Sequence, residues 1–420
     1  MAYAEKVYKV RNGKPTKQYT WRSRYKKPDG TTGSEPGFPT ERTAIEWGSE
    51  QEAAIRAGRW IDPDLARALF GEWTRTWMAA KAPRGRTVGT RWELLEAHIL
   101  PKWEHVSIQS ITWFDVENWA NSLACDDSTA TKCVTLMSQI LTGAVDAKRL
   151  SVNPLFGRRR SRPAAIRAEL DAKERRQEEL WAPPEVVLQI ARRVGRGDGM
   201  HIIATAFSGV RWGESLALRP SSLGERREPL DGDVFTCPVL YVREEVAEYQ
   251  QRDPATGKAL GMVLALEPLK SRTSRRDIDL PPFLAELLCD HVSTVKSEFL
   301  FMTASGAHWR RGNFGRQVLR PAADGRKALN ATKGHAPRSA WEPIMPNLTM
   351  RALRHTHDTF QAQIGVAPAL EYEQAGHARP GMKGVYQHPT PEMRQARLKG
   401  LQGIFERAMA NLGWESVWES

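Results

Sequence analysis

The stretch Ala375–His388 reads AGHARPGMKGVYQH, a Gly376-His377 pair followed nine positions later by Tyr386. A phenol attacks well only when a base removes its proton and nearby positive groups draw charge from its target. Cations suited to that task stand in three other places. Arg211 sits in SGVRWGESLAL, Lys270 in PLKSRTSRRDIDLP, and Arg354 in MRALRHTHDTF. One tyrosine, two arginines, a lysine and a histidine make a set that can attack a phosphodiester without a metal.

Around these motifs the pattern is mixed. Pro183-Pro184-Glu185 predicts a helix start, and His201 to Phe207 an apolar helix broken at Ser208-Gly209. Arg211 then heads the next helix, with Glu214 three residues on and able to hold its guanidinium. Strands are expected over Val239 to Val246, Val263 to Leu269 and Arg275 to Leu280, placing Lys270 in the turn between the last two. A helix over 349–364 turns Met350, Leu353, His357, Phe360 and Ile364 inward, with Arg351, Arg354 and Asp358 on a neighbouring face. After Pro391, Leu398, Leu401, Ile404, Phe405, Met409 and Leu412 form an apolar stripe that either folds back or docks on another subunit.

The bulk numbers agree with a polyanion as partner. The 420 residues carry a net charge of +12 with a pI near 9.6, and 41% hydrophobic content suffices to bury cores. The length predicts two or three domains. No run of about 18 apolar residues suggests a membrane span, and MAYAEKVYKV lacks the apolar core of a secretion signal. A cytoplasmic, nucleoid-associated protein is therefore expected. Cys125, Cys133, Cys237 and Cys289 show no CxxC pairing and read as reduced, buried thiols.

Upstream, residues 6–11 and 18–26 alternate as two strands, and Thr40 is a plausible cap for a helix closed by Gly58. The nearly unopposed basic residues here, among them Arg22, Arg24 and Lys26, predict DNA contact. From Leu65 the pattern is helical, with Trp73, Trp77, Trp92 and Trp119 at core spacing, Pro101 ending the second helix and Thr112 capping the third. A fourth helix is expected from Thr131 to Lys148. The charged run 158–180 reads as a linker that becomes helical toward its end, with Arg158, Arg159 and Arg160 free to reach phosphates.

The order of an arginine in TGxRxxE-like context, a hairpin lysine, an RHT-containing helix, a GH pair and a tyrosine nine residues later resembles the tyrosine recombinase (phage integrase) family. The likeness covers about 180–395 well and the upstream pieces more weakly. It implies a multidomain α+β chain: a small β-sheet plus helix as an arm-type DNA-binding domain (1–62), an all-α core-binding bundle (63–157), a linker (158–180), and a mixed, mainly α catalytic domain with a small antiparallel sheet (181–395). A tail helix (396–420) follows.

By that resemblance, Arg211 and Arg354 clamp the scissile phosphate and Tyr386 attacks it, leaving a 3′-phosphotyrosyl link and a free 5′-hydroxyl. Lys270 protonates the leaving oxygen, and His377 bonds the phosphate or assists proton transfer. No cofactor, metal or ATP is implied. The implied partners are double-stranded DNA attachment sites, a homotetramer acting through a Holliday junction, and an accessory DNA-bending or directionality factor. One position departs from the family: Arg351 stands where most members have histidine. A guanidinium cannot accept the tyrosine's proton, which leaves His377, or less favourably His355, as base. Two other functions stay open: a DNA-binding architectural protein without catalysis, and a nicking-closing enzyme of type IB topoisomerase kind. His355-Thr356-His357 as a metal-binding relaxase pair is a third, weaker alternative.

Overall fold

The computed structural model describes residues 1–11, 14–81, 83–161, 180–330, 337–377 and 388–418. The chain divides into two compact units, Met1–Ile166 with the short segment Asp253–Lys258, and Arg167–Arg252 with Ala259–Ser420.

In the first unit, β1 (Tyr3–Arg11), β2 (Lys14–Lys26) and β3 (Thr32–Phe38) form an antiparallel sheet in that order. The alternation of β2 is as expected, with Ser23 and Tyr25 buried on one face and Arg22, Arg24 and Lys26 on the other. β3 has no apolar alternation to announce it. Its Gly33 is set by packing instead, because a Cβ there would lie 2.4 Å from the Tyr25 ring. Helix α1 (Glu41–Arg56) starts at Thr40, whose hydroxyl accepts from the Thr43 N–H, and lays Ala44 and Gly48 on the sheet.

The rest of this unit is helical: α2 (Pro63–Ala66), α3 (Phe70–Ala80), α4 (Gly85–Leu94), α5 (Leu100–Trp103), α6 (Trp113–Ser122) and α7 (Asp127–Asp146). Trp73, Trp77, Trp92, Trp103 and Trp119 are buried with Leu95, Ile99 and Ile140, so the tryptophan spacing marks core. Thr112 caps α6 as expected, and α7 begins four residues before Thr131. Pro101 does not end its helix. A π turn over Leu95–Ile99, in which the Leu100 N–H donates to the Leu95 carbonyl, lets the helix run on to Trp103. Proline lacks a donor and crowds the carbonyl four residues back, and widening the turn relieves both. The device recurs in the second unit, where a π turn over Gly315–Leu319 precedes Pro321.

The second unit holds α8 (Pro184–Val194), α9 (Arg196–Ser208), α10 (Trp212–Leu216), α11 (Pro282–Thr294), α12 (Arg311–Phe314), α13 (Arg320–Asp324), α14 (Met350–Gln363), α15 (Pro368–Ala375) and α16 (Pro391–Leu412). Strands β4 (Leu223–Leu230), β5 (Asp233–Val242) and β8 (Arg276–Asp279) make one antiparallel sheet. β6 (Glu244–Arg252) and β7 (Ala259–Pro268) make a separate hairpin. The run Val239 to Val246 is therefore two strands rather than one. Since β7 pairs with β6 and β8 with β5, Lys270 lies on a crossover between sheets, not in a hairpin turn.

Helix α9 is buried on all sides, and Ile202, Ile203, Phe207, Leu353 and Phe360 anchor a core in which each buried aliphatic or aromatic side chain contributes about 1.5–3 kcal/mol. α14 follows its periodicity, with Thr349 as cap and Met350, Leu353, His357 and Phe360 inward. The tail helix α16 folds back on its own unit. Leu401, Ile404 and Met409 join the core, and Phe405 stacks on Phe283 with ring centroids 3.8 Å apart. Its Arg394 bonds both Asp279 (2.9 Å) and Glu373 (2.7 Å), and Arg397 also pairs with the buried Asp279. Of the cysteines, Cys133 and Cys237 are buried as expected, whereas Cys125 is half-buried and Cys289 exposed; all four are free.

Candidate active site

The site is built where α15 stops. Gly376 takes the left-handed conformation (φ 66°), and the following amides turn back, His377 N–H donating to the Tyr372 carbonyl at 3.0 Å. A helix end leaves its last carbonyls without intrahelical partners and carries partial negative charge. One of them, the Ala375 oxygen, receives two guanidinium groups: Arg211 Nη2 at 2.9 Å and Arg354 Nη2 at 3.0 Å. Glycine is required at 376 by space as well as by φ. A Cβ would sit 3.0 Å from Arg276 Cδ and 3.1 Å from the Thr273 carbonyl.

Arg211 is fixed from its own helix. Glu214 Oε2 accepts from the Arg211 N–H at 2.9 Å and Oε1 from Nη1 at 2.8 Å, so the carboxylate caps α10 and orients the side chain together. Arg354 comes from α14 and also donates to the Gly209 carbonyl. Gly209 is left-handed too (φ 66°), and a Cβ there would lie 2.6 Å from His357 Cδ2. Both arginines keep further N–H donors beyond these bonds, enough for a bidentate grip on an oxyanion.

A third arginine stands behind them, and reading the sequence missed it. Arg276 on β8 is buried and forks onto Glu214, Nη1 to Oε1 at 3.0 Å and Nη2 to Oε2 at 2.9 Å, while Nε donates to the Gln374 carbonyl at 2.6 Å. The signal was present: Arg276 shares strand parity with the inward Ile278 and Leu280. Burial alone would raise the Glu214 carboxyl, but the bonds and charge of Arg276, with Arg211, hold it at about 2. Burial, with Arg211 and Arg276 beside it, pushes Arg354 down to about 10. Arg211 and Arg276 share the Glu214 carboxylate, and Arg354 feels Glu214 and Asp358 through space, so three guanidinium groups face two carboxylates, a positive excess that an anion would relieve.

His377 is exposed, and desolvation of its ring with the charges of Arg211 and Arg354 lowers its pKa, favouring the neutral form that can accept a proton. Arg351 is exposed on α14, and its Nε lies 3.4 Å from His355 Nε2. His355 is exposed whereas His357 is buried in the core, its pKa driven by burial to about 3, so the two do not share a metal site. Lys270 is exposed on the crossover whose Thr273 carbonyl abuts Gly376. Tyr386 lies outside the described residues, as does most of the 158–180 run.

The basic residues expected on DNA divide. Arg24 pairs with Glu5 at 2.9 Å, Arg22 is half-buried and Lys26 is exposed. Arg158 and Arg159 are exposed. Arg160 is not free: it is buried against Asp127 and donates to the Ala120 carbonyl at 3.2 Å. A carboxylate at the start of α7 needs a counter-charge, and Arg160 supplies it.

No protein-family model matches the sequence, and no curated protein matches it. Solved structures do. The Tn1549 transposon integrase in complex with transposon right end DNA aligns with a TM-score of 0.52 at 18% identity, over 80% of this chain and 99% of that one. The same integrase in complex with a circular intermediate DNA aligns at 0.50 and 16%, over 79% and 99%. The chain therefore has the fold of this integrase.

Proposed function

We propose that this chain is a site-specific DNA recombinase that cuts and rejoins strands through Tyr386. The observation that carries the reading is the meeting of Arg211 and Arg354 on the Ala375 carbonyl, one residue before the GH turn. Two fixed forks in an electropositive cluster suit a phosphate whose negative charge grows as a fifth oxygen bonds to phosphorus. In the reaction the Tyr386 oxygen bonds to phosphorus, the bond to the 5′-oxygen breaks, and Lys270 gives that oxygen its proton. His377, whose pKa is lowered by desolvation and by the neighbouring arginines, takes the tyrosine's proton, a task Arg351 cannot perform. The covalent link conserves bond energy, and reversal on a different strand completes the exchange.

The recombinase reading extends to the partners. The Tn1549 integrase structures are complexes with transposon and circular intermediate DNA, and the net charge of +12 fits the same kind of ligand here. Four protomers acting on two duplexes through a Holliday junction, with residues 1–62 on arm-type sites, residues 63–157 on core sites and a DNA-bending or directionality factor assisting, complete the proposal. Among the described residues no helix is long and apolar enough to cross a membrane.

The test uses nicked suicide duplexes cut from the DNA flanking the chain's own gene. Wild type should become covalently joined to DNA, and Tyr386→Phe should bind the same duplex without joining it. Binding with no adduct from wild type on any flank would leave an architectural DNA-binding protein. Relaxation of supercoiled plasmid without sequence requirement would favour a nicking-closing enzyme.

A further inference from the structure

We infer that Arg276 is a positioning residue that sets the angle at which Arg211 meets the scissile phosphate, acting through the carboxylate of Glu214. The inference deepens the recombinase reading, and its effect on rate rests on that reading. Each Glu214 oxygen accepts once from Arg211 and once from Arg276: Oε1 from Arg211 Nη1 (2.8 Å) and Arg276 Nη1 (3.0 Å), Oε2 from the Arg211 backbone N–H (2.9 Å) and Arg276 Nη2 (2.9 Å). A carboxylate held by a planar fork cannot rotate about its own axis without breaking two bonds at once. Its plane is therefore fixed, and the Arg211 side chain inherits that plane.

The same guanidinium also reaches the other side of the site. Arg276 Nε bonds the Gln374 carbonyl, the residue before Ala375, whose own oxygen takes Arg211 and Arg354. Gln374 is itself buried, with its amide on the Ser208 carbonyl at 3.2 Å. So one buried arginine ties Glu214, which holds Arg211 from its helix, to the backbone that holds Arg211 at its tip. A lysine at 276 would keep the charge but present a single donor centre with no fork, losing the geometry that fixes the carboxylate plane.

The test is a cycle of substitutions on the full chain. Arg276→Lys should slow adduct formation on saturating suicide duplex by at least about tenfold, with the dissociation constant for that duplex changed less than about threefold. In an Arg211→Lys background the same change should cost nothing further, because the group it positions is gone. Glu214→Gln, which leaves both arginines in place, should reproduce the loss and be non-additive with Arg276→Lys. Equal losses in both backgrounds would mean that Arg276 is merely structural, and an unimpaired Arg276→Lys enzyme would overturn the inference outright.

A second readout needs no activity. In arginine side-chain nitrogen spectra of the full chain, the two Nη groups of Arg211, identified by their loss in Arg211→Lys, should be resolved in wild type and merge in Arg276→Lys. If wild type forms no adduct, the recombinase reading falls while the spectra still decide the role of Arg276. Arg211 signals unchanged in a folded Arg276→Lys chain would refute it.

Discussion

Arg211 and Arg354 donate to one and the same atom, the carbonyl oxygen of Ala375, at 2.9 and 3.0 Å. Two guanidinium groups repel one another, and burial together with that repulsion lowers the pKa of Arg354. A helix C-terminus is one of the few neutral groups able to hold both, since its free carbonyls carry partial negative charge without neutralising the pair. The positive charge stays available for a ligand. This is preorganisation in the plain sense that the donors are in place before the substrate arrives.

On the recombinase reading, replacing either arginine with lysine removes donors that would act on the charge formed at phosphorus. Arg354→Lys should lower the rate of adduct formation by about 10²–10³-fold, the usual loss for one such donor. DNA affinity should change little, because many phosphates contribute to it. Single-turnover cleavage beside a binding titration checks both statements, and an equal loss in binding and rate would contradict them.

Gly376→Ala should destabilise the second unit by about 1–3 kcal/mol, because φ is 66° and the new methyl meets Arg276 and the Thr273 carbonyl. The change also disturbs the carbonyl that both arginines use, so activity should fall further than stability. Urea unfolding gives the first quantity and adduct formation well below the transition gives the second.

Stability should fall as pH drops below 6.5. His201 and His357 are buried, and burial sets both at about 3, against 6.5 in an unfolded chain. Their contribution is fully present above 6.5 and is lost as pH falls toward 3, because the unfolded chain binds the protons first. Between pH 6.5 and 5 each should remove about 2 kcal/mol. Asp358 and Glu371, raised by burial, act in the opposite sense, while Glu214, held at about 2, adds to the loss below 4.5. Unfolding curves at pH 7.5, 6 and 5 test the sign, and a flat profile would refute it.

Neighbouring arginines should behave differently. Arg160→Ala removes the cation paired with the buried Asp127 and should cost about 3–5 kcal/mol of stability. Arg158→Ala and Arg159→Ala, at exposed positions, should leave stability within about 0.5 kcal/mol and each reduce the salt slope of DNA binding by about one. Binding measured from low to moderate salt, with thermal unfolding of the same variants, separates the two classes.

By itself the sequence determined what is local. Thr40 and Thr112 cap helices because a hydroxyl one turn before an amide needs no distant partner. The tryptophan stripe and the inward face of α14 follow from helical period alone. The order and spacing of Arg211, Lys270, Arg354, His377 and Tyr386 carry the resemblance from which the proposed chemistry is taken.

Tertiary structure decided whatever depends on a partner far along the chain or on the backbone itself. β3 exists because β2 offers it an edge and Tyr25 needs a glycine opposite. Pro101 sits inside a helix because a π turn makes room for it, and Lys270 sits on a crossover because its flanking strands pair elsewhere. Arg160 is held by Asp127, and Arg276 by Glu214, for the same reason: a buried carboxylate takes the cation that folding brings nearest. The Ala375 oxygen that gathers both arginines belongs to the main chain, which every residue carries and no motif can mark.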